Sequence, residues 1–244
     1  MKIDVIGTGN VGTHLFNALR EKADVNSVPA RTLDGLRTDA DIYLISVSDD
    51  AIRDVASSVV ASTGSDGIIA HTSGTTPLSR ISDLGVRAGV FYPMQTFSKY
   101  VKLDYAEIPF FIEGMDADVT ARLKETAELI SAHVSEADSE ARCNLHIASV
   151  LSCNFVNHLW SLAYDFLESK GLSFESMLPL INETVRKVSR VTPPEAQTGP
   201  AIRQDMKTIG NHLERLKDNE DLGTLYKLLS ESIISRHHKH NQPE

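Results

Sequence analysis

Over the first 135 residues, short runs of consecutive apolar positions alternate with stretches in which apolar residues recur at helical spacing. The runs are Ile42–Val47, Gly67–Ala70, Gly89–Tyr92 and Ile108–Ile112, with Ile3–Ile6, interrupted by Asp4, before them and Val25–Val28, with Asn26 and Ser27 inside it, as a further candidate; each predicts a strand. Helices are predicted from Asn10 to Lys22, from Ala51 to Ala61 behind Ser48-Asp49-Asp50, through Leu78, Ile81 and Leu84, and from Ala117 to His133. Strands with no polar alternation are buried on both faces, which implies an α/β fold with a doubly wound parallel sheet between helices. The link from Arg31 to Ala40 is short for a full helix, so one crossover is abbreviated. Beyond Ser135 the alternation stops and only helices are predicted: Ser139–Lys170, Ser173–Arg190, Ile202–Lys217 and Asp221–His237. The first of these would span about 45 Å. The domain change falls near Glu136, which gives a sheet domain over 1–136 and an all-α domain over 137–244. Pro193-Pro194 breaks the chain, and Pro200 suits the first turn of a helix.

The first strand runs straight into Gly7-Thr8-Gly9-Asn10-Val11-Gly12, and the first helix comes at once after it. That order, strand then GxGxxG then helix, is the dinucleotide-binding pattern, and it makes the sheet domain Rossmann-like. Gly7 permits the tight turn, Gly9 lets the backbone approach a pyrophosphate, and Gly12 lets helix and strand pack closely, while free N–H groups at the helix start face the phosphates. Thr8, Asn10 and Val11 complete the cofactor-binding turn. At the end of the second strand an acid would accept hydrogen bonds from the ribose of NAD, whereas an arginine can pair with the 2′-phosphate of NADP. Arg31 and Thr32 stand there with no acid between Val25 and Leu33, which favours NADP.

In open parallel sheets ligands gather beyond the C-terminal strand ends. Ser48, His71, Ser73, Gln95 and Thr96 fall there, Ser48 and His71 as cofactor contacts, Ser73, Gln95 and Thr96 as substrate contacts. On the long helix His146, Val150, Cys153, Asn154 and Asn157 share one face at spacings of four, seven, eight and eleven. Polar groups within such a stripe need partners or a wet cleft, and the cleft reading makes His146 the general acid, since imidazole ordinarily titrates near neutrality. Asn154 and Ser73 would orient the substrate, with Asn157 beside them, and Arg203 could clamp a carboxylate.

Composition narrows the partners. A net charge of -9, from 33 acidic and 24 basic residues, with no basic cluster before the tail, argues against nucleic acid and anionic membranes and for a small molecule. Cys143 and Cys153 lie too far apart on one predicted helix for a disulfide, as free thiols of a cytoplasmic protein would. No signal peptide or membrane span is predicted, and no HExxH or CxxC spacing indicates a metal. The closing stretch His237–His240 reads as a frayed polar tail.

GTGNVG at Gly7, VSDDAI at Val47, HTSG at His71, YPMQTF at Tyr92, LHIASVLSCNF at Leu145 and TGPAIRQD at Thr198 together resemble the 6-phosphogluconate dehydrogenase-like superfamily. More closely, the chain is similar to the group that joins a Rossmann domain of the F420-dependent NADP oxidoreductase type to a DUF2520 helical domain. Pyrroline-5-carboxylate reductase and the β-hydroxyacid dehydrogenases are more distant relatives with the same plan and a dimer built on the helical domains. The resemblance implies a homodimer and an NADP-dependent oxidoreductase that moves a hydride between the nicotinamide and a small anionic C=O or C=N compound. Two positions depart from it: Tyr92 stands where the group often has His, and Arg142 and His146 stand where β-hydroxyacid dehydrogenases carry a catalytic Lys. Without that lysine, the alternative is a non-catalytic NADP(H)-binding sensor.

Overall fold

The computed structural model describes residues 1–64 and 66–239. Seven strands form one sheet in the order β2-β1-β3-β4-β5-β6-β7: β1 Lys2–Ile6, β2 Asp24–Val28, β3 Ile42–Ile45, β4 Ile68–His71, β5 Arg87–Pro93, β6 Phe110–Gly114 and β7 Val134–Glu136. The first five strands are parallel, β6 runs antiparallel to β5, and β7 is parallel to β6. The sequence shows neither the reversal nor β7. The reversal arises from the β5–β6 connection, which carries only a 3₁₀ turn, Tyr105–Glu107, and no crossover helix. The predicted helix to His133 ends earlier, at Glu128, and leaves room for the edge strand.

The helices cover both faces. On one, α1 (Asn10–Leu19) and α4 (Ala117–Glu128) bring Leu15, Leu19, Val119 and Leu123 against Ile3, Val5, Leu44 and Phe91. On the other, α2 (Ile52–Thr63) and α3 (Ser79–Ser82) bring Ile52, Ala56, Val59 and Ile81 against Ile6, Tyr43, Ile45 and Ile69. Strand alternation divides the core: Ile42 and Leu44 face one cluster, Tyr43 and Ile45 the other.

No helix joins β2 to β3, as the short link requires. The loop is tied to the sheet by Arg37, whose Nε donates to Asp4 at 2.6 Å, whose backbone N–H donates to the same carboxylate at 2.8 Å, and whose Nη2 donates to the Ile3 carbonyl at 2.7 Å. Asp4 is fully buried within β1, so this pairing is what makes a carboxylate tolerable there.

The chain divides into two compact units, 1–156 and 157–244. The first runs on from Glu136 to Val156 because α5 (Ser139–Ser149) packs on the sheet: Arg142 is fully buried and ion-pairs with Glu113 of β6. The predicted long helix exists as α5, a five-residue π segment Val150–Asn154, and α6 (Phe155–Glu168). The second unit continues with α7 (Leu178–Val188), α8 (Pro193–Ala196), α9 (Met206–Arg215) and α10 (Glu220–Lys239). The two prolines start α8 rather than simply breaking the chain, inside a capping box between Thr192 and Glu195. The start of α9 is delayed to Met206 because Asp205 caps it, accepting from the Thr208 N–H at 3.0 Å. The tail beyond Lys239, including His240, lies outside the described residues. Among the described residues no helix is long and apolar enough to cross a membrane.

Candidate active site

The strand order reverses about β1: the chain moves outward to β2 and returns on the other side to β3. At such a switch point the loops after two neighbouring strands part and leave a crevice. Here the loops are the glycine turn after β1 and Ser46–Asp49 after β3. At Gly7, φ is +118°, and a Cβ there would lie 2.0 Å from the Ser46 carbonyl oxygen; a Cβ at Gly12 would lie 2.0 Å from the Gly7 carbonyl oxygen. Both positions demand glycine. Gly9 differs, because a Cβ there would meet nothing within 4 Å, so its backbone faces open space. It is also the N-cap of α1 and supplies no side-chain cap, so the N–H groups of the first turn point into that space without an intrahelical partner. These features fit a pyrophosphate held by backbone donors.

The space is a cleft of about 430 Å³, within the usual range for small-molecule sites. Gly9, Asn10 and Val11 form one wall and Ser46–Asp49 the next; Thr72–Thr75 come after β4, Tyr92, Pro93, Gln95 and Phe97 come from the end of β5, and His146 comes from α5. None of these residues is Lys or Arg, and Asp49 is the one carboxylate among them.

Asn10, expected at the phosphates, instead sends its side-chain amide to the Phe97 carbonyl at 3.1 Å. His14, one turn further along α1, bonds the Ser98 carbonyl and the Tyr105 hydroxyl, both at 2.9 Å. Together they fix the segment that carries Phe97. Ser73 shapes its own loop, its Oγ accepting from the N–H groups of Thr75 at 3.1 Å and Thr76 at 2.9 Å. The Thr75 hydroxyl in turn donates to Asp49, joining the loops after β3 and β4.

Tyr92 and His146 meet in the cleft wall, Oη to Nδ1 at 3.2 Å. Gly74 makes it possible, since a Cβ there would lie 2.8 Å from the Tyr92 ring and 2.9 Å from His146 Nδ1. Burial raises the Tyr92 phenol pKa above 10.0, and the Arg142 guanidinium opposes that shift. Arg142 itself is committed to structure, with Nη1 on Glu113 and Nη2 donating to the Thr76 carbonyl at 2.7 Å. It therefore does not stand in for the lysine of β-hydroxyacid dehydrogenases.

Of the expected residues, Gly9, Asn10, Val11, Ser48, Ser73, Gln95 and His146 line the cleft. Gly7 and Gly12 support it from below, and Thr8 is exposed beside it. His71 ends β4, is fully buried, and is not among the residues that line the cleft. Its Nδ1 accepts from the Ser73 N–H at 3.2 Å, which leaves the proton on Nε2, where no partner is found. Burial, with the Arg142 charge, lowers its pKa to about 4, against smaller opposing effects of Asp49 and the Pro77 carbonyl. Asn154 is exposed within the π segment and is not among the residues that line the cleft. Thr96 also stays outside the lining and donates its N–H to the Gln95 side chain at 2.8 Å. Asn157 and Arg203 belong to the second unit, and Arg31 and Thr32 are exposed in the loop after β2. Tyr92, Gly74, Asp49 and Phe97 were not singled out as site residues from the sequence, although YPMQTF and VSDDAI contain three of them.

The family described as "Domain of unknown function (DUF2520)" matches residues 108–233. A Bacteroides fragilis protein described as a candidate NADP oxidoreductase is similar over 96% of this chain and 98% of its own, with 39% identity and a TM-score of 0.87. An imine reductase from Myxococcus stipitatus, solved with NADP⁺, shares the fold at a TM-score of 0.65 and 15% identity, over 98% of this chain and 93% of its own. A reductive aminase from Aspergillus terreus, solved with NADPH and ethyl levulinate, does so at 0.69 and 13%, over 96% and 94%. No curated protein matches the chain in sequence. The family match spans half of the chain, and the Bacteroides relative covers nearly all of it: this chain belongs to the DUF2520 family.

Proposed function

We propose that the protein is an NADP(H)-dependent oxidoreductase acting on a small C=O or C=N compound. One observation carries the reading: the open backbone of Gly9 and the Tyr92–His146 pair bound the same cleft, so a phosphate-binding turn and a proton-bearing pair face one space. The Bacteroides relative supports it through its description, and the imine reductase and reductive aminase support it through their fold and the cofactors they hold.

The bound cofactor would supply or accept the hydride. The turn from Gly7 to Gly12 binds the pyrophosphate, Arg31 and Thr32 meet the 2′-phosphate, and Ser48 lies at the ribose. Ser73 and Gln95 orient the substrate, and His146 is the candidate general acid in the cleft wall. With Asp49 and no cation in the lining, the reacting end of the substrate is uncharged or cationic. The protein is a homodimer through its helical part, in a reducing cytoplasm that keeps Cys143 and Cys153 as thiols.

The test is calorimetric titration with NADPH and NADH, then NADPH oxidation over a panel of cyclic imines and ketones. Micromolar NADPH binding with turnover of a panel member is the expected outcome. Tight NADPH binding with no turnover across the panel transfers the protein to the class of nucleotide sensors.

A further inference from the structure

We infer that Tyr92 is the proton donor of the reaction and that His146 acts behind it, returning the proton from solvent. This rests on the oxidoreductase reading above.

Access separates the two roles. Tyr92 is 8% exposed and lines the cleft, so the little of it that is open faces the space where a substrate would sit. His146, on α5, is half-buried and so more open than Tyr92, and its Nδ1 is engaged with the phenol at 3.2 Å. An imidazole bound through Nδ1 keeps Nε2 for exchange with water, the arrangement of a relay. The contact is built, not incidental: Gly74 gives up a side chain to admit both rings, and Phe111, paired with Tyr92 across β5 and β6, stacks on the phenol at 6.4 Å between centroids. The other charged and titratable groups around the pair have duties elsewhere. Arg142 is paired with Glu113, Asp49 receives the Thr75 hydroxyl, and His71 holds the Ser73 N–H. A phenol that burial keeps protonated is a poor donor alone, and a neighbour able to replace the proton corrects that.

In the reducing direction, NADPH is the two-electron donor. The carbon of the C=N or C=O bond gains a hydride and its π pair moves to the nitrogen or oxygen. That atom takes the proton of Tyr92 Oη. The phenolate recovers a proton from His146 Nδ1–H, and Nε2 takes one from water, so the sum is one hydride and one solvent proton added to the substrate.

The experiment compares the unmodified protein with Tyr92→Phe, His146→Gln and His146→Ala on the panel substrate, alongside NADPH affinity. Tyr92→Phe keeps the ring and should lower kcat by about 10² to 10⁴ with NADPH affinity within twofold. His146→Gln should lose less, and free imidazole should restore His146→Ala. Tyr92→Phe that binds NADPH and keeps kcat within threefold overturns the assignment. If Tyr92→Phe does not bind NADPH, His146→Ala decides: imidazole rescue supports the relay, and unchanged kcat or failed rescue overturns it. Absence of turnover by the unmodified protein brings down the oxidoreductase reading and this inference together, a result distinct from an active Tyr92→Phe.

Discussion

Asn10, in the first turn of the phosphate-facing helix, holds the carbonyl of Phe97, eighty-seven residues away, at 3.1 Å. A residue that the glycine pattern assigns to the cofactor thus serves the opposite wall of the cleft. Asn10→Ala should cost about 1 kcal/mol of stability, the usual worth of one such bond. It should also weaken NADPH binding and raise substrate KM about five- to tenfold by releasing Phe97. Fluorescence titration and thermal melting check the two effects separately, and a change in stability alone would show that the wall does not depend on this bond.

His71 makes stability depend on pH. Unfolded, it takes up a proton near its ordinary pKa of 6.5, whereas in the native protein it stays neutral down to about 4. The unfolded state therefore binds more protons between those values, and stability falls as pH drops through that window while remaining full above it. The loss amounts to about 3 kcal/mol over the whole window. Urea unfolding at pH 7 and at pH 4.5 measures it. His71→Asn, whose amide oxygen can still accept from Ser73, should show a shallower decline than the parent.

Arg142 and Glu113 form the buried ion pair that docks α5 on the sheet. Removing one partner leaves the other charge uncompensated, so Arg142→Met should destabilise the protein by about 3 to 5 kcal/mol. Combining it with Glu113→Gln should recover part of that loss. Denaturant midpoints of the parent and the two variants provide the measurement.

Arg31 is exposed in the loop after β2, with no acid between Val25 and Leu33. Arg31→Ala should lower NADPH affinity about ten- to 150-fold and leave NADH affinity unchanged, the effect of one charge-assisted contact. Parallel titrations with both nucleotides test this.

Phe155 is 55% exposed and Leu180 64% exposed, on α6 and α7, neither of which has a buried residue. These faces are where the dimer proposed above would make contact. Light scattering should give a dimer at tens of micromolar, and Phe155→Glu with Leu180→Glu should shift it to monomer; a monomeric parent protein would refute the assembly.

The glycine turn was legible in the sequence because each of its demands is local. Gly7 and Gly12 answer to contacts with the next loop and with each other, and the pattern records both. The helix-less link between β2 and β3 was legible from its length. The direction of β6 was not, since a strand reads the same from either end and only the missing crossover helix decides. β7 is too short to show a period. The end of β4 was legible only to within one position: His71, its last residue, is buried, the next belongs to a loop, and the apolar run does not say where it stops. The π segment leaves no mark on periodicity, so nothing in the pattern shows that Asn154 stands within it. Tyr92 and His146 stand fifty-four residues apart, and their pairing depends on a third residue whose contribution is the absence of an atom.

That absence at Gly74 sets how far this scaffold stands from losing its chemistry. Gly7 and Gly12 guard the nucleotide turn, whereas Gly74, in the cleft wall, guards the meeting of phenol and imidazole, so the two capacities answer to different glycines. Gly74→Ala, a single-base change in any glycine codon, would part the rings and leave the nucleotide turn as it is. On the reaction proposed above, a lineage carrying that one methyl would inherit a folded receptor for NADP(H) that no longer consumes it, and a gauge of the cell's reducing state would need no new part.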